Sequence, residues 1–289
     1  MRIGIEAQRI FRERKHGIEI VALEVIRELQ KIDKKNDYFI FAKQDADMSC
    51  LSETENFRII VLPPANFAWW EQVMLPSAAK KYNLDILHCT GNTAPIRRTT
   101  KTLLTIHDIF FTSFANIKGS TYQVLGNIYR KMIFPKLASY DHLITVSETE
   151  KNNIVSKLGI SPDKIDVIYN GVNPKFRPVH DEVLLASVKE KYKLPSRFVF
   201  FFSNTAPKKN TIKVLQAFGE LLKNNSEAEL VVTDPSGYYV RDCIEKLNLP
   251  GLKDKVRILG FVNNDDLPAI YNLATIYLFP SLEESFGLP

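Results

Sequence analysis

HLITVSETEKNNIVSKLGISPDKIDVIYNGV, residues 142–172, decides the fold class. Residues 142–146 form a short run rich in β-branched and apolar side chains, as a buried strand does. Ser147 then stands where a helix needs an N-cap, and 148–158 carries a helical pattern. A second short strand follows at 166–169, and Asn170-Gly171 marks a turn. Strand, capped helix and strand within about thirty residues is a βαβ unit, and that unit joins parallel strands.

The same alternation runs outward in both directions. Towards the N-terminus, strands are expected at 2–7, 38–42, 58–62, 85–89 and 102–106, with helices at 18–32, 68–82 and 121–138 between or after them. Beyond the turn, 174–197 is a looser passage with Pro174, Pro178 and Pro195 around one polar helix, the expected interdomain connection. A second alternation follows, with strands at 198–203, 230–233, 256–259 and 276–279 and helices at 211–223, 239–247 and 265–273. Asn264 is the expected cap of the last helix, with Asp265 and Asp266 complementing its dipole. The expected class is α/β, with a first Rossmann-like parallel-sheet domain over 1–173 and a second over 198–289. No internal repeat or low-complexity tract interrupts this plan.

Composition narrows the function. The 289 residues are 45% hydrophobic and 25% charged, ordinary values for a globular α/β enzyme. No apolar stretch approaches the roughly 18 residues of a membrane span, and MRIGIEAQRI reads as a first strand rather than a signal peptide. Cys50, Cys89 and Cys243 lie far apart, as buried thiols of a reducing compartment do, so a cytoplasmic location is expected. The five histidines and three cysteines show no metal-ligand spacing, and neither a metal nor a cofactor is expected. The formal charge of +5 is modest, and its basic clusters at 12–15, 31–35 and 130–136 form no nucleic-acid stripe. They read as solvated surface, with peripheral attraction to anionic headgroups at the inner membrane surface as the minority alternative. Trp69 and Trp70 could stack on a sugar, although helix packing is the better reading.

The final stretch, FPSLEESFGLP (279–289), reads as a strand end, an acidic loop and, at Pro289, the first turn of a further helix. It resembles the donor-sugar loop of family 4 glycosyltransferases, retaining enzymes of the GT-B architecture with two Rossmann-like domains. Residues 142–172 are similar to that family's passage near the end of the first domain, and GFVNNDDLPAIYNLATIYLFPS (260–281) to its acidic helix start and following strand. SNTAPKKN (203–210) resembles the family's phosphate loop. Chemistry demands cations there, because the leaving nucleoside diphosphate gains negative charge in the transition state. Lys209 matches the family lysine. Lys208 stands where arginine is common, which keeps the charge and loses the bidentate fork, and Ser203 stands where some members hold phosphate with a further arginine. Without the surrounding match, a solvated lysine pair would be the plainer reading.

The resemblance implies transfer of a sugar from a nucleotide-sugar donor to a glycan or lipid-linked saccharide acceptor. Catalytic roles would fall to His107, Lys209 and Glu284. Donor binding would fall to Ser203, Lys208, Lys209, Asn210, Glu284, Ser285, Phe286, Gly287 and Leu288. His107, directly after an apolar strand, matches the histidine that faces the acceptor, where the carboxyl edge of an open sheet binds ligands. In retaining enzymes of this type the donor phosphate is thought to take the acceptor proton, so His107 is not assigned as general base. Asp108 would orient the imidazole or cap the next segment. Gly17 would join the acceptor side, allowing close approach at a helix start. The sequence departs from the family where Glu19 replaces a glycine, which disfavours anions, and at Asp234-Pro235, which puts part of the nucleotide pocket in doubt. The family's second donor-site glutamate would fall beyond Pro289, so the expectation is of a second domain incomplete as given, and inactive alone. The alternative is a non-catalytic remnant or partner subunit. A transport-type sugar-binding protein is weaker still, since export would require a signal peptide.

Overall fold

The computed structural model describes residues 1–109 and 121–288, with the backbone alone for 121–124. Pro289, expected to open a helix, lies outside the described residues. The chain divides into two compact units, Met1–Asn170 and a second from Gly171 onward.

The first unit contains β1 (Arg2–Glu6), α1 (Gly17–Ile32), β2 (Asp37–Ala42), β3 (Phe57–Val61), α2 (Phe67–Trp69), α3 (Leu75–Lys81), β4 (Ile86–Cys89) and β5 (Lys101–Ile106). It continues through α4 (Thr121–Ile133), β6 (His142–Thr145), α5 (Glu148–Leu158) and β7 (Ile165–Val167). All seven strands run parallel in the order β3-β2-β1-β4-β5-β6-β7. The order reverses between β1 and β4, the switch point at which such sheets open a crevice beyond their carboxyl ends. Both faces are buried, and β2 shows why the strands read as continuous apolar runs. Phe39 and Phe41 enter one core with Trp70, Leu87 and Leu104. Tyr38, Ile40 and Ala42 point the other way, to Ile5, Leu23, Ile26 and Phe57. Gly4 lets β1 pack this closely, since a Cβ there would lie 2.4 Å from Leu84 Cδ1 and 2.9 Å from Phe41 Cε2.

The single helix expected over 68–82 is instead interrupted by a π-helical turn, Trp70–Met74, in which Leu75 N bonds Trp70 O. Pro76 supplies the reason, because it has no N–H to offer the carbonyl one α-turn back. The turn separates the two tryptophans. Trp70 is fully buried in the core, as packing required, while Trp69 is largely exposed. The expected helix over 121–138 ends at Ile133 and continues as a 3-10 stretch, Phe134–Ser139, at Pro135. The helix after Ser147 forms as expected, with the Ser147 side chain accepting from Glu150 N.

The second unit begins with α6 (Glu182–Lys191) and continues through β8 (Val199–Phe201), α7 (Thr211–Asn224), β9 (Leu230–Thr233), α8 (Tyr239–Leu247) and α9 (Leu252–Lys255). Then come β10 (Val256–Leu259), α10 (Leu267–Leu273) and β11 (Ile276–Leu278). Its four parallel strands lie in the order β10-β9-β8-β11, the same pattern as the first four strands of the other sheet, with the switch point between β8 and β11. The polar helix expected within a connection is part of this unit. Val188 of α6 packs with Leu194, Phe198 and Ile270, and Lys191 and Tyr192 both bond the Asp266 carboxylate. Asn264 does not cap α10. The side chain of Asn263 accepts from Asp265 N, and Asp266 is held by its bonds to Lys191 and Tyr192.

Candidate functional site

The second unit brings its expected residues together at the switch point. The loop after β8 enters a short 3-10 turn, Pro207–Lys209, and Asn210 adopts a left-handed conformation that starts α7. The loop after β11 lies beside it. Leu282 N donates to Lys208 O at 2.8 Å and Asn210 Nδ2 to Pro280 O at 3.3 Å. Across this seam Lys209 Nζ meets Glu284 Oε1 at 2.6 Å, with Lys208 Nζ 3.9 Å from the other carboxylate oxygen. Lys209 also lies 5.2 Å above the Phe279 ring. Burial pushes the Glu284 carboxyl up, but the Lys209 and Ser281 hydrogen bonds and the two lysine charges outweigh it and hold the carboxyl below its ordinary value. Gly287, at φ 90°, makes the left-handed turn that brings the chain back over Phe279. Ser285 and Phe286 are half-buried in the same loop, and Leu288 is exposed.

Ser203 differs from its expected place. It is fully buried, its N–H donating to Thr233 Oγ1 and its hydroxyl bonded to Thr211 Oγ1 at 2.9 Å, so it braces the loop from beneath. Asp234 is likewise buried. Its carboxylate accepts from Ser236 N and from Val240 N, closing the first turn of α8.

In helices that follow strands, the N-terminal N–H groups attract anions unless something already fills them. Asp234 fills α8. At α1, Glu19 Oε2 accepts from His16 N at 2.7 Å, and the carboxylate lies 3.8 Å from Arg9 and 3.7 Å from Arg12. At α5, Ser147 caps and two glutamates occupy the first turn. The start of α7 is different: its cap residue makes no side-chain hydrogen bond to the helix, its first turn holds no acid, and two lysines precede it. The start of α7 thus combines a helix end without a side-chain cap with two lysines beside it.

In the first unit His107 follows β5, only 8% exposed. Its N–H donates to Asn92 Oδ1 at 2.6 Å, and its ring Nε2 lies 2.9 Å from Thr90 O. A carbonyl can only accept, so Nε2 carries the proton and Nδ1 of the neutral ring is an acceptor. Burial lowers the imidazole pKa, against smaller opposing effects from Thr90 and the Asp108 charge, which favours the neutral form. At Gly17, the first residue of α1, an added Cβ would meet no atom of the chain within 4 Å. Beneath these residues lies a buried polar group that sequence reasoning missed: Glu6, Glu71, Thr90, Asn92 and Thr93. Burial raises the Glu71 carboxyl to about 7, aided by the Glu6 charge, and raises Glu6 as well. Glu6 alternates with apolar residues at the end of a strand, and only its unpaired acidity within RIGIE hinted at it. Among the described residues no group of His, Cys, Asp and Glu is placed to hold a metal ion, and no helix is long and apolar enough to cross a membrane.

Two parallel-sheet units, the second with a lysine-lined helix start at its switch point, make this a two-domain Rossmann-like α/β protein. The chain belongs to glycosyltransferase family 4, whose model matches residues 16–176; the model for glycosyl transferases group 1 matches residues 186–289. The serotype-specific mannosyltransferase WbdA of Escherichia coli is 29% identical over 173 residues, covering 56% of this chain and 21% of that protein. The O-antigen chain mannosyltransferase RfbU of Salmonella typhimurium is 26% identical over 225 residues, covering 77% and 56%. The chain thus spans about a fifth of the first relative and just over half of the second. Among solved structures, Anabaena HepE in complex with UDP and glucose superposes with a TM-score of 0.70 at 15% identity, over 99% of this chain and 76% of that one. WaaG, a glycosyltransferase involved in lipopolysaccharide biosynthesis, gives 0.67 at 13%, over 98% and 76%. At these identities the structures establish the fold.

Proposed function

We propose that this chain carries the donor and acceptor machinery of a retaining glycosyltransferase. An enzyme with that machinery moves a hexosyl group from a nucleotide-sugar donor to a glycan or lipid-linked saccharide acceptor in polysaccharide assembly. The observation behind this reading is the Lys209–Glu284 pair at the start of α7, a cation suited to a diphosphate beside a carboxylate suited to sugar hydroxyls. Mannosyl is the first group to test, since WbdA and RfbU are named mannosyltransferases.

In this reading the diphosphate lies against Lys209, Lys208 and the N–H groups of α7, and Glu284 turns to the hydroxyls of the donor sugar. The bond between the sugar's anomeric carbon and the phosphate oxygen breaks, and the leaving diphosphate gains the charge that Lys209 offsets. The acceptor oxygen bonds to the same carbon from the same face, and its proton passes to the departing phosphate oxygen. His107 Nδ1 accepts a hydrogen bond from an acceptor hydroxyl and orients it. The test is kinetic. Assayed in an enzyme whose second domain is whole, Lys209→Ala lowers kcat/KM by roughly 10² to 10³, the scale of one preorganised charge removed from a transition state. Unchanged kcat/KM in Lys209→Ala overturns the placement of the donor.

A further inference from the structure

The loop that carries Thr90 and Asn92 has no regular structure, yet it is pinned along its whole length. At one end Thr90 Oγ1 donates to Glu6 O at 2.7 Å, and the Glu6 carboxylate accepts from Gln8 N at 2.9 Å. In the middle Thr93 Oγ1 donates to Glu71 Oε2 at 2.6 Å. At the far end Gln72 takes Ile96 N on its oxygen and donates to Ala94 O, which also accepts from the Tyr140 hydroxyl. The other Glu71 oxygen accepts from the Tyr129 hydroxyl at 2.6 Å and from Gln72 Nε2 at 3.0 Å. Glu71 is 2% exposed and sits in the π-helical turn, a geometry common where a helix must aim a side chain at a functional site. Between these pins the loop supplies both contacts of His107, Asn92 Oδ1 on its N–H and Thr90 O on its ring.

We infer that Glu71 is a positioning residue. Through Thr93 it fixes residues 90–93, and through them the ring orientation and the Nε2–H tautomer of His107, leaving Nδ1 for a hydroxyl. This inference rests on the acceptor-side reading of His107 for its bearing on catalysis, but the hold on the imidazole is measurable without turnover. A buried network could serve stability alone, so the test must read the imidazole itself.

The experiment is 15N NMR of the histidine-labelled chain, with the His107 signals assigned by their loss in His107→Asn. Wild type shows a neutral Nε2–H ring at pH 7. Glu71→Ala shifts the Nε2 and Nδ1 signals towards a mixture of tautomers. Glu71→Gln restores the wild-type pattern, because its amide can still accept from Tyr129 and Gln72 while bonding the Thr93 hydroxyl. Leu23→Ala, in the core on the other face of the sheet, lowers Tm without moving these signals. Should Glu71→Ala fail to fold, Thr93→Val removes the same link and is expected to give the same mixture. Unchanged His107 signals in the loosened variant, or the same change in Leu23→Ala, overturn the inference. In a transferase assay Glu71→Ala lowers kcat about tenfold or more with the donor KM unchanged. If His107→Asn itself leaves kcat intact, the acceptor-side reading fails while the NMR result still decides the role of Glu71.

Discussion

Glu284→Gln provides the sharpest test of the donor corner, because it drives two measurements in opposite directions. The Glu284 carboxylate pairs with Lys209 at 2.6 Å, with the two side chains 20% and 12% exposed. An incoming diphosphate must therefore compete with it for the ammonium. Exposed ion pairs contribute about 0.2–1 kcal/mol, and disrupting a buried one costs about 3–5 kcal/mol. A partly buried pair with a second lysine at 3.9 Å falls between these limits, and we take about 1.4 kcal/mol, or about a tenfold change in affinity. Glu284→Gln keeps the shape and removes the competing charge. Titration calorimetry with inorganic pyrophosphate is expected to show about tenfold tighter binding than in wild type, with the gain shrinking at high salt as the lysines are screened. Turnover falls, because the amide is a poorer acceptor for sugar hydroxyls than the carboxylate. Equal or weaker pyrophosphate binding in Glu284→Gln refutes the reasoning, and so does a Lys209→Ala protein that binds pyrophosphate as well as wild type.

Three further outcomes follow from the first unit and its buried acids. His107→Ala slows transfer and leaves pyrophosphate affinity within about twofold, since the anion corner is built by other residues; loss of pyrophosphate binding in a folded variant counts against that separation. Glu71, whose carboxyl rises from 4.5 to about 7 on folding, binds its proton more tightly in the native state. Its stabilising share is thus complete below about pH 4.5 and is lost as pH rises to 7, a change of about 3 kcal/mol. Urea denaturation of wild type and Glu71→Gln across this range should show the difference narrowing or reversing towards pH 7, and a pH-independent difference contradicts it. Gly4→Ala forces a methyl to within 2.4 Å of Leu84 and 2.9 Å of Phe41, and is expected to destabilise the protein by about 1–3 kcal/mol, read as a lower urea midpoint at unchanged slope.

Local chemistry alone determined most of the elements. The alternation of apolar runs with Ser-capped and amphipathic stretches placed every strand of both sheets to within a residue or two, because a strand buried on both faces must be apolar throughout. The cluster Lys208, Lys209 and Glu284 was legible only through the family resemblance, since a lysine pair before a helix and an acid in a loop otherwise read as solvated surface. Tertiary structure decided what spacing could not. That Lys209 and Glu284 touch depends on β8 lying beside β11, a pairing across the switch point that no local signal fixes. Asn263 rather than Asn264 supports the start of α10, a matter of turn geometry. Pro76 bent an expected helix into a π-turn and so aimed Glu71 at Thr93. Ser203 is expected on the donor side by the resemblance, and only the packing of β8, β9 and α7 buries it. The buried carboxylates were hidden for the same reason: an acidic residue in a sequence declares itself solvated, and only distant donors such as Thr90, Thr93 and Tyr129 make its burial tolerable.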